Sequence, residues 1–251
     1  MDMIKRILVV GGANGIGLAI AQEMANRQEV EKVYVVDKAA LVPNYCHTKI
    51  ESFQFDLTSD DYSYFDRFTD IDALMITAGF GRLSLFRDIP EHHIKDSFNV
   101  NTIPVMRLVK RFYNRLESAQ NFYCGVMVSI AGFMTSPFFA VYGATKAALK
   151  IFIESVNVEL EKNGSENRIL NVSPGSIPGT AFNSGKNDLS LTTGLAKEII
   201  EHLEAKDDLF IPKYDEVFKE VLRRYRDDFR AEGSHSYDYK LASGRVKKKE
   251  I

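Results

Sequence analysis

The chain has 251 residues, 45 % of them hydrophobic and 26 % charged, with a formal net charge of −2. That length suits one sizeable domain covering 1–251, the balance is that of a soluble globular protein, and near-neutrality argues for neither nucleic acid nor an acidic membrane as partner. Two cysteines, Cys46 and Cys124, are too few for a disulfide framework, and neither a secretory signal nor a run of membrane-spanning length is visible, so a cytoplasmic protein is expected.

Short apolar runs alternate with helical patterns along the chain. ILVV (7–10), VYVV (33–36), ALMIT (73–77), GVMVS (125–129), ILNVS (169–173) and LFIP (209–212) read as strands, with FQF (53–55) a weaker seventh. They are short, rich in β-branched residues and apolar on both faces, as strands between two helical layers must be. Helical spacing marks 17–27, 105–116, 146–162, 195–205 and a C-terminal helix over about 215–230. Strand followed by helix, repeated, predicts an α/β fold: one doubly wound parallel sheet of about seven strands, Rossmann-type, with helices on both faces.

The first strand runs into GGANGIG (11–17) and then a helix. Glycines permit a tight turn and close backbone approach, and the helix N-terminus offers free N–H groups and the positive end of its dipole. A pyrophosphate fits there; so does a plain connecting turn. Asp37 ends the second strand twenty residues after Gly17, where a carboxylate can accept hydrogen bonds from an adenosine ribose and repel a 2′-phosphate. NAD is therefore preferred and NADP remains possible, because Lys38 stands next door.

Tyr142 and Lys146 lie four apart on one helical face. Alone, such a pair reads equally as a packed ring beside a solvated lysine. Three neighbours in sequence change the weighting. Ser129 ends a strand thirteen residues before Tyr142, at the carboxyl edge where open α/β sheets bind ligands; Asn101 precedes a long helical pattern; SPGS (173–176) turns out of the next strand.

Taken together, these motifs resemble the short-chain dehydrogenase/reductase family from about Ile4 to Pro212. VGGANGIG (10–17) is similar to the family's cofactor loop, FDL (55–57) to its strand-end aspartate near the adenine, TAG (77–79) to its Asn-Ala-Gly turn and PGSIPGT (174–180) to its nicotinamide-side turn. The resemblance implies a catalytic set of Asn101, Ser129, Tyr142 and Lys146. It also implies cofactor contacts from Gly11, Asn14, Gly15, Ile16, Gly17, Asp37, Asp56, Leu57, Ala78, Gly79, Tyr142, Lys146, Pro174, Gly175, Ile177 and Thr180. Val10 stands where the family usually has threonine and Thr77 where it has asparagine, which puts the rigidity of those strand ends in question.

The chemistry expected of such a set is hydride transfer between a nicotinamide cofactor and a small-molecule alcohol/carbonyl pair. A free tyrosine, with a pKa of about 10, is a poor base near neutrality. A neighbouring ammonium favours phenolate, which is the role expected of Lys146. Ser129 would hydrogen-bond the substrate oxygen, and Asn101 would hold a water linking Lys146 to solvent. A homodimer or homotetramer is implied as well. The competing readings are a non-catalytic dinucleotide-binding sensor or scaffold, and a nucleotide-sugar epimerase or dehydratase; the latter usually has a larger C-terminal domain than the 39 residues left after Pro212.

Other features are not read as sites. His92 and His93 lack a third ligand, the cysteines lack metal-type spacing, and RVKKK (245–249) belongs to an expected flexible tail over about 240–251. The segment 181–194 is a candidate substrate lid, short enough to suggest an open pocket and a bulky substrate. Val217, Phe218, Val221, Leu222, Tyr225 and Phe229 form one helical stripe that would pack on the domain, roof the pocket or join subunits.

Overall fold

A computed structural model of the protein describes residues 3–180, 182, 187–244 and 246. Seven parallel strands form one sheet in the order β3-β2-β1-β4-β5-β6-β7: β1 (Arg6–Val10), β2 (Lys32–Asp37), β3 (Ile50–Gln54), β4 (Ala73–Ile76), β5 (Tyr123–Met127), β6 (Ile169–Val172) and β7 (Leu209–Phe210). The order reverses between β1 and β4, which opens a crevice at the carboxyl ends of those strands. The FQF strand begins earlier than expected, at Ile50.

Strand residues alternate faces, so each apolar run supplies two cores at once. Leu8 and Val10 enter one cluster with Leu108 of α3 (Ile103–Arg111) and Leu149 and Ile153 of α5 (Ala140–Lys162). Ile7 and Val9 enter the other, with Ile20 and Met24 of α1 (Gly15–Asn26) and Ile199 and Leu203 of α6 (Leu189–Glu204). This is why the strand runs lack the polar alternation of a one-sided sheet. Among the described residues no helix is long and apolar enough to cross a membrane.

The expected helix over 105–116 is two pieces, α3 and α4 (Tyr113–Glu117), and a separate α2 (Glu91–Asn101) precedes them. Pro104 starts α3 after a break at Thr102. The expected C-terminal helix over 215–230 also divides. A π-helical turn, Tyr214–Phe218, leads into α7 (Lys219–Asp227), and an unforeseen α8 (Phe229–Ala242) follows. The break falls at Asp228, whose carboxylate accepts hydrogen bonds from the N–H groups of Arg230 (2.9 Å) and Ala231 (3.0 Å) and so caps α8. Residues 240–242 of the expected tail are therefore helical; 245 and 247–251 lie outside the described residues. Within the expected lid, 189–194 belong to α6, and 181 and 183–186 lie outside the described residues.

Two glycines bring β1, α1 and β4 into contact. A Cβ on Gly17 would sit 2.3 Å from the Gly11 carbonyl oxygen and from the Thr77 hydroxyl, and one on Gly11 would sit 2.4 Å from the Ala78 nitrogen. Gly17→Ala is expected to lower stability by about 2 kcal/mol or more, since backbone must move to admit the methyl; a urea midpoint within error of the parent would refute this. The Thr77 hydroxyl donates to the carbonyl oxygens of Gly11 (3.0 Å) and Val10 (3.2 Å). It ties the two strand ends together across the sheet, which answers the question raised by Val10 and Thr77.

Candidate active site

The crevice opens into a cavity of about 960 Å3 that runs from the glycine loop past Asp37 and Asp56 to Ser129, Tyr142 and Lys146. It is near the upper end of the roughly 300–1,000 Å3 typical of small-molecule sites. Every predicted cofactor contact lines it: Gly11, Asn14, Gly15, Ile16 and Gly17 on the loop, Asp37, Asp56 and Leu57 beyond β2 and β3, Ala78 and Gly79 after β4, and Pro174, Gly175, Ile177 and Thr180 after β6. A second cavity of about 720 Å3, beside β7 and α7, contains none of them.

The Asp37 carboxylate accepts hydrogen bonds from the Ala13 N–H (3.1 Å) and the Ala39 N–H (3.0 Å). It thus braces the glycine loop as well as facing the cavity. Asp56 accepts from the Thr58 N–H (2.9 Å) and hydroxyl (2.8 Å), and these bonds, the backbone one foremost, hold its pKa below the ordinary value. The Asp56 carboxylate stays ionised at neutral pH, and both turns are pre-formed.

Tyr142 stands in the first turn of α5 and Lys146 one turn further on. Lys146 is buried, and its Nζ donates to the Met127 carbonyl oxygen at 2.8 Å. Nζ lies 5.8 Å from the centroid of the Tyr142 ring. Burial, the sole cause, brings the lysine down to about 7. Burial also pushes the Tyr142 phenol up to about 12, opposed by a hydrogen bond from Ser129. In the cofactor-free protein, desolvation of the lysine opposes the acidification of Tyr142 expected from it. Ser129, itself buried, accepts from the Ala131 N–H at 3.2 Å, which fixes its hydroxyl over the cavity floor.

Asn101 is placed differently from the other three. It is fully buried behind the cavity wall, at the last residue of α2. Its Oδ1 accepts from the Phe80 N–H (2.9 Å), and its Nδ2 donates to the Phe80 carbonyl (2.8 Å) and the Thr145 hydroxyl (3.2 Å). Both amide hydrogens are therefore spent on holding the loop after β4 against α5. The carboxamide is a brace between Phe80 and Thr145.

The far end of the cavity was only partly foreseen. Of the helical stripe, Val217, Phe218 and Val221 line it, so the π-helical turn and α7 together roof the pocket, while Leu222 packs on Ile130 and Ile211. The Phe218 ring lies where a Cβ on Gly175 would be, at 2.7 Å, so the roof rests directly on the turn after β6. Phe139, Tyr142 and Phe182 form an aromatic group with centroids 5.2–6.1 Å apart. Beyond it α8 adds Glu232 and Lys240, both buried. Glu232 pairs with Arg224 at 2.6 Å. Lys240 Nζ donates to the Ser136 hydroxyl and the Pro137 carbonyl, each at 2.9 Å, and thereby anchors α8 to the segment between Ser129 and Tyr142. The α7 residues carried a periodic signal; Glu232 and Lys240 carried none. The His93 ring packs edge-on against Phe80.

A glycine loop at the switch point of a doubly wound sheet, with Ser129, Tyr142 and Lys146 over the same cleft, defines a Rossmann-type dinucleotide-binding protein. The sequence profile described as short chain dehydrogenase matches residues 5–189, and the chain belongs to that family of NAD(P)-linked oxidoreductases. An uncharacterized oxidoreductase of Saccharomyces cerevisiae, TDA5, is 24 % identical over 214 residues, which cover 79 % of this chain and 65 % of the yeast protein. Among solved structures, a short chain dehydrogenase/reductase from Burkholderia phymatum in complex with NAD superposes with a TM-score of 0.77 at 17 % identity, covering 90 % of this chain and 94 % of that one. An alcohol dehydrogenase from Thermococcus sibiricus complexed with 5-hydroxy-NADP does so with a TM-score of 0.69 at 17 % identity, covering 82 % and 95 %.

Proposed function

We propose that the protein interconverts an alcohol and a carbonyl compound with a nicotinamide cofactor, NADH in preference to NADPH. The observation that carries this reading is one cavity shared by the glycine loop, Asp37, Ser129, Tyr142 and Lys146. When bound, the nicotinamide supplies hydride transfer. The chain's own part is binding, orientation and proton movement. The α1 N-terminus faces the pyrophosphate, and Asp37 accepts from the adenosine ribose. Ser129 holds the substrate oxygen, and the Tyr142 hydroxyl gives that oxygen a proton in reduction or takes one in oxidation. Lys146, beside the Tyr142 ring in the same cavity, would hold the cofactor's ribose.

The aromatic group at Phe139 and the α7 roof favour a bulky, largely apolar substrate. Exposed Ile103, Ile151 and Val158 on α3 and α5 favour assembly as a homodimer or homotetramer, which light scattering would test.

Fluorescence titration with NADH and NADPH tests the cofactor reading. Asp37→Ala is expected to shift the affinity ratio towards NADPH by about tenfold, the equivalent of 1.4 kcal/mol. Equal or tighter NADPH binding by the parent would hand control of the ribose site to Lys38, which lines the same cavity.

A further inference from the structure

We propose that Asn187 is a positioning residue for cofactor binding: it turns the Asn14 carboxamide so that its NH2 group faces the cofactor's diphosphate. This rests on the cofactor reading above.

The argument begins from a backbone donor that cannot be reversed. The Gly15 N–H lies 3.0 Å from one side-chain atom of Asn187. An N–H only donates, so that atom is the carbonyl oxygen, Oδ1. The Asn187 NH2 is then the opposite end, and it lies 2.7 Å from the side chain of Asn14. The Asn14 atom that meets it must accept, so it is Oδ1. The Asn14 NH2 is consequently turned away from Asn187, and among the described residues it makes no hydrogen bond.

Asn14 lines the cavity beside Gly15 and Ile16. It occupies the N-cap position of α1, yet its side chain caps nothing in that helix. An unconstrained carboxamide there would present oxygen or nitrogen indifferently, and oxygen would repel a diphosphate. The link through Asn187 removes the choice. One further donor then joins the helix N–H groups of Ile16 and Gly17. The platform is firm: Asn187 precedes Asp188, which caps α6 by accepting from the Ser190 N–H (3.0 Å) and whose own N–H bonds the Gly179 carbonyl (3.1 Å). The same arrangement brings Thr180 to 3.6 Å from a Cβ on Gly15, so the two loops meet at the rim of the cleft.

The test is NADH affinity in Asn187→Ala, Asn14→Ala and the double variant, with thermal midpoints of the cofactor-free proteins measured alongside. Each single change should weaken NADH by about threefold to tenfold, the net worth of one typical hydrogen bond. The double variant should be no more than about twofold weaker than Asn14→Ala, because Asn187 acts through Asn14. Adenosine, which has no phosphate, should bind the parent and Asn187→Ala alike. Unchanged NADH affinity in Asn187→Ala, additive losses in the double variant, or an equal loss for adenosine would each overturn the proposal while leaving the cofactor reading intact. A parent that binds neither NADH nor NADPH would overturn both.

Discussion

Tyr142→Phe is expected to lower turnover by at least about 100-fold, the lower end of what a positioned acid–base group contributes, and to leave NADH affinity nearly unchanged. The ring contacts with Phe139 and Phe182, each at 5.2 Å between centroids, survive the change, and only the hydroxyl is lost. Because burial pushes the phenol up to about 12, it is protonated through the neutral range, ready as an acid for carbonyl reduction. Oxidation needs the deprotonated form and should rise with pH. Steady-state rates with a substrate of the parent decide the matter. A phenylalanine variant that turns over at close to the parent rate would remove Tyr142 from the acid–base role and favour the non-catalytic sensor or scaffold.

Lys146→Met should have three separable effects. With cofactor saturating, the alkaline rise of alcohol oxidation should move to higher pH, because a neighbouring cation favours phenolate and its removal raises the tyrosine pKa. Cofactor affinity should fall as well, for want of a donor beside the ribose. The third effect belongs to the cofactor-free protein. Burial lowers the lysine from its ordinary 10.5 to about 7. Between those values the unfolded chain holds a proton that the folded chain has lost, so the parent becomes more stable as pH rises through that window. Below it the full penalty of a desolvated ammonium applies, roughly several kcal/mol for a shift of this size. Methionine escapes that penalty and forfeits one hydrogen bond to Met127, about 1 kcal/mol. The variant should therefore be the more stable protein near pH 7, with the gap closing towards 10.5. Urea midpoints across that range measure it. A constant difference, together with an unaltered rate profile and normal cofactor affinity, would reduce Lys146 to packing.

Most of the strand–helix succession and the sheet's parallel character were legible in the sequence, because a strand buried on both faces must be apolar at every position, and ILVV and VYVV are. The cofactor cleft was legible for a related reason: the glycine loop and Asp37 lie within the first 37 residues and depend on local backbone geometry. Boundaries were less so. Asp228 divides α7 from α8 by capping, and nothing in the stripe from Val217 to Phe229 announced a break there.

What the sequence by itself determined is therefore the class of fold and the identity of the groups that meet at the cleft. The tertiary structure alone decided how those groups behave. Desolvation raises the pKa of Tyr142 and lowers that of Lys146, and it depends on everything packed around them. Asn101 became a brace because Phe80 and Thr145, 21 and 44 residues away, consume its hydrogen bonds. The link from Asn187 to Asn14 spans 173 residues, and Lys240 reaches Ser136 across 104. Such contacts leave no period or spacing in the chain, since their geometry exists only once distant segments are folded against one another.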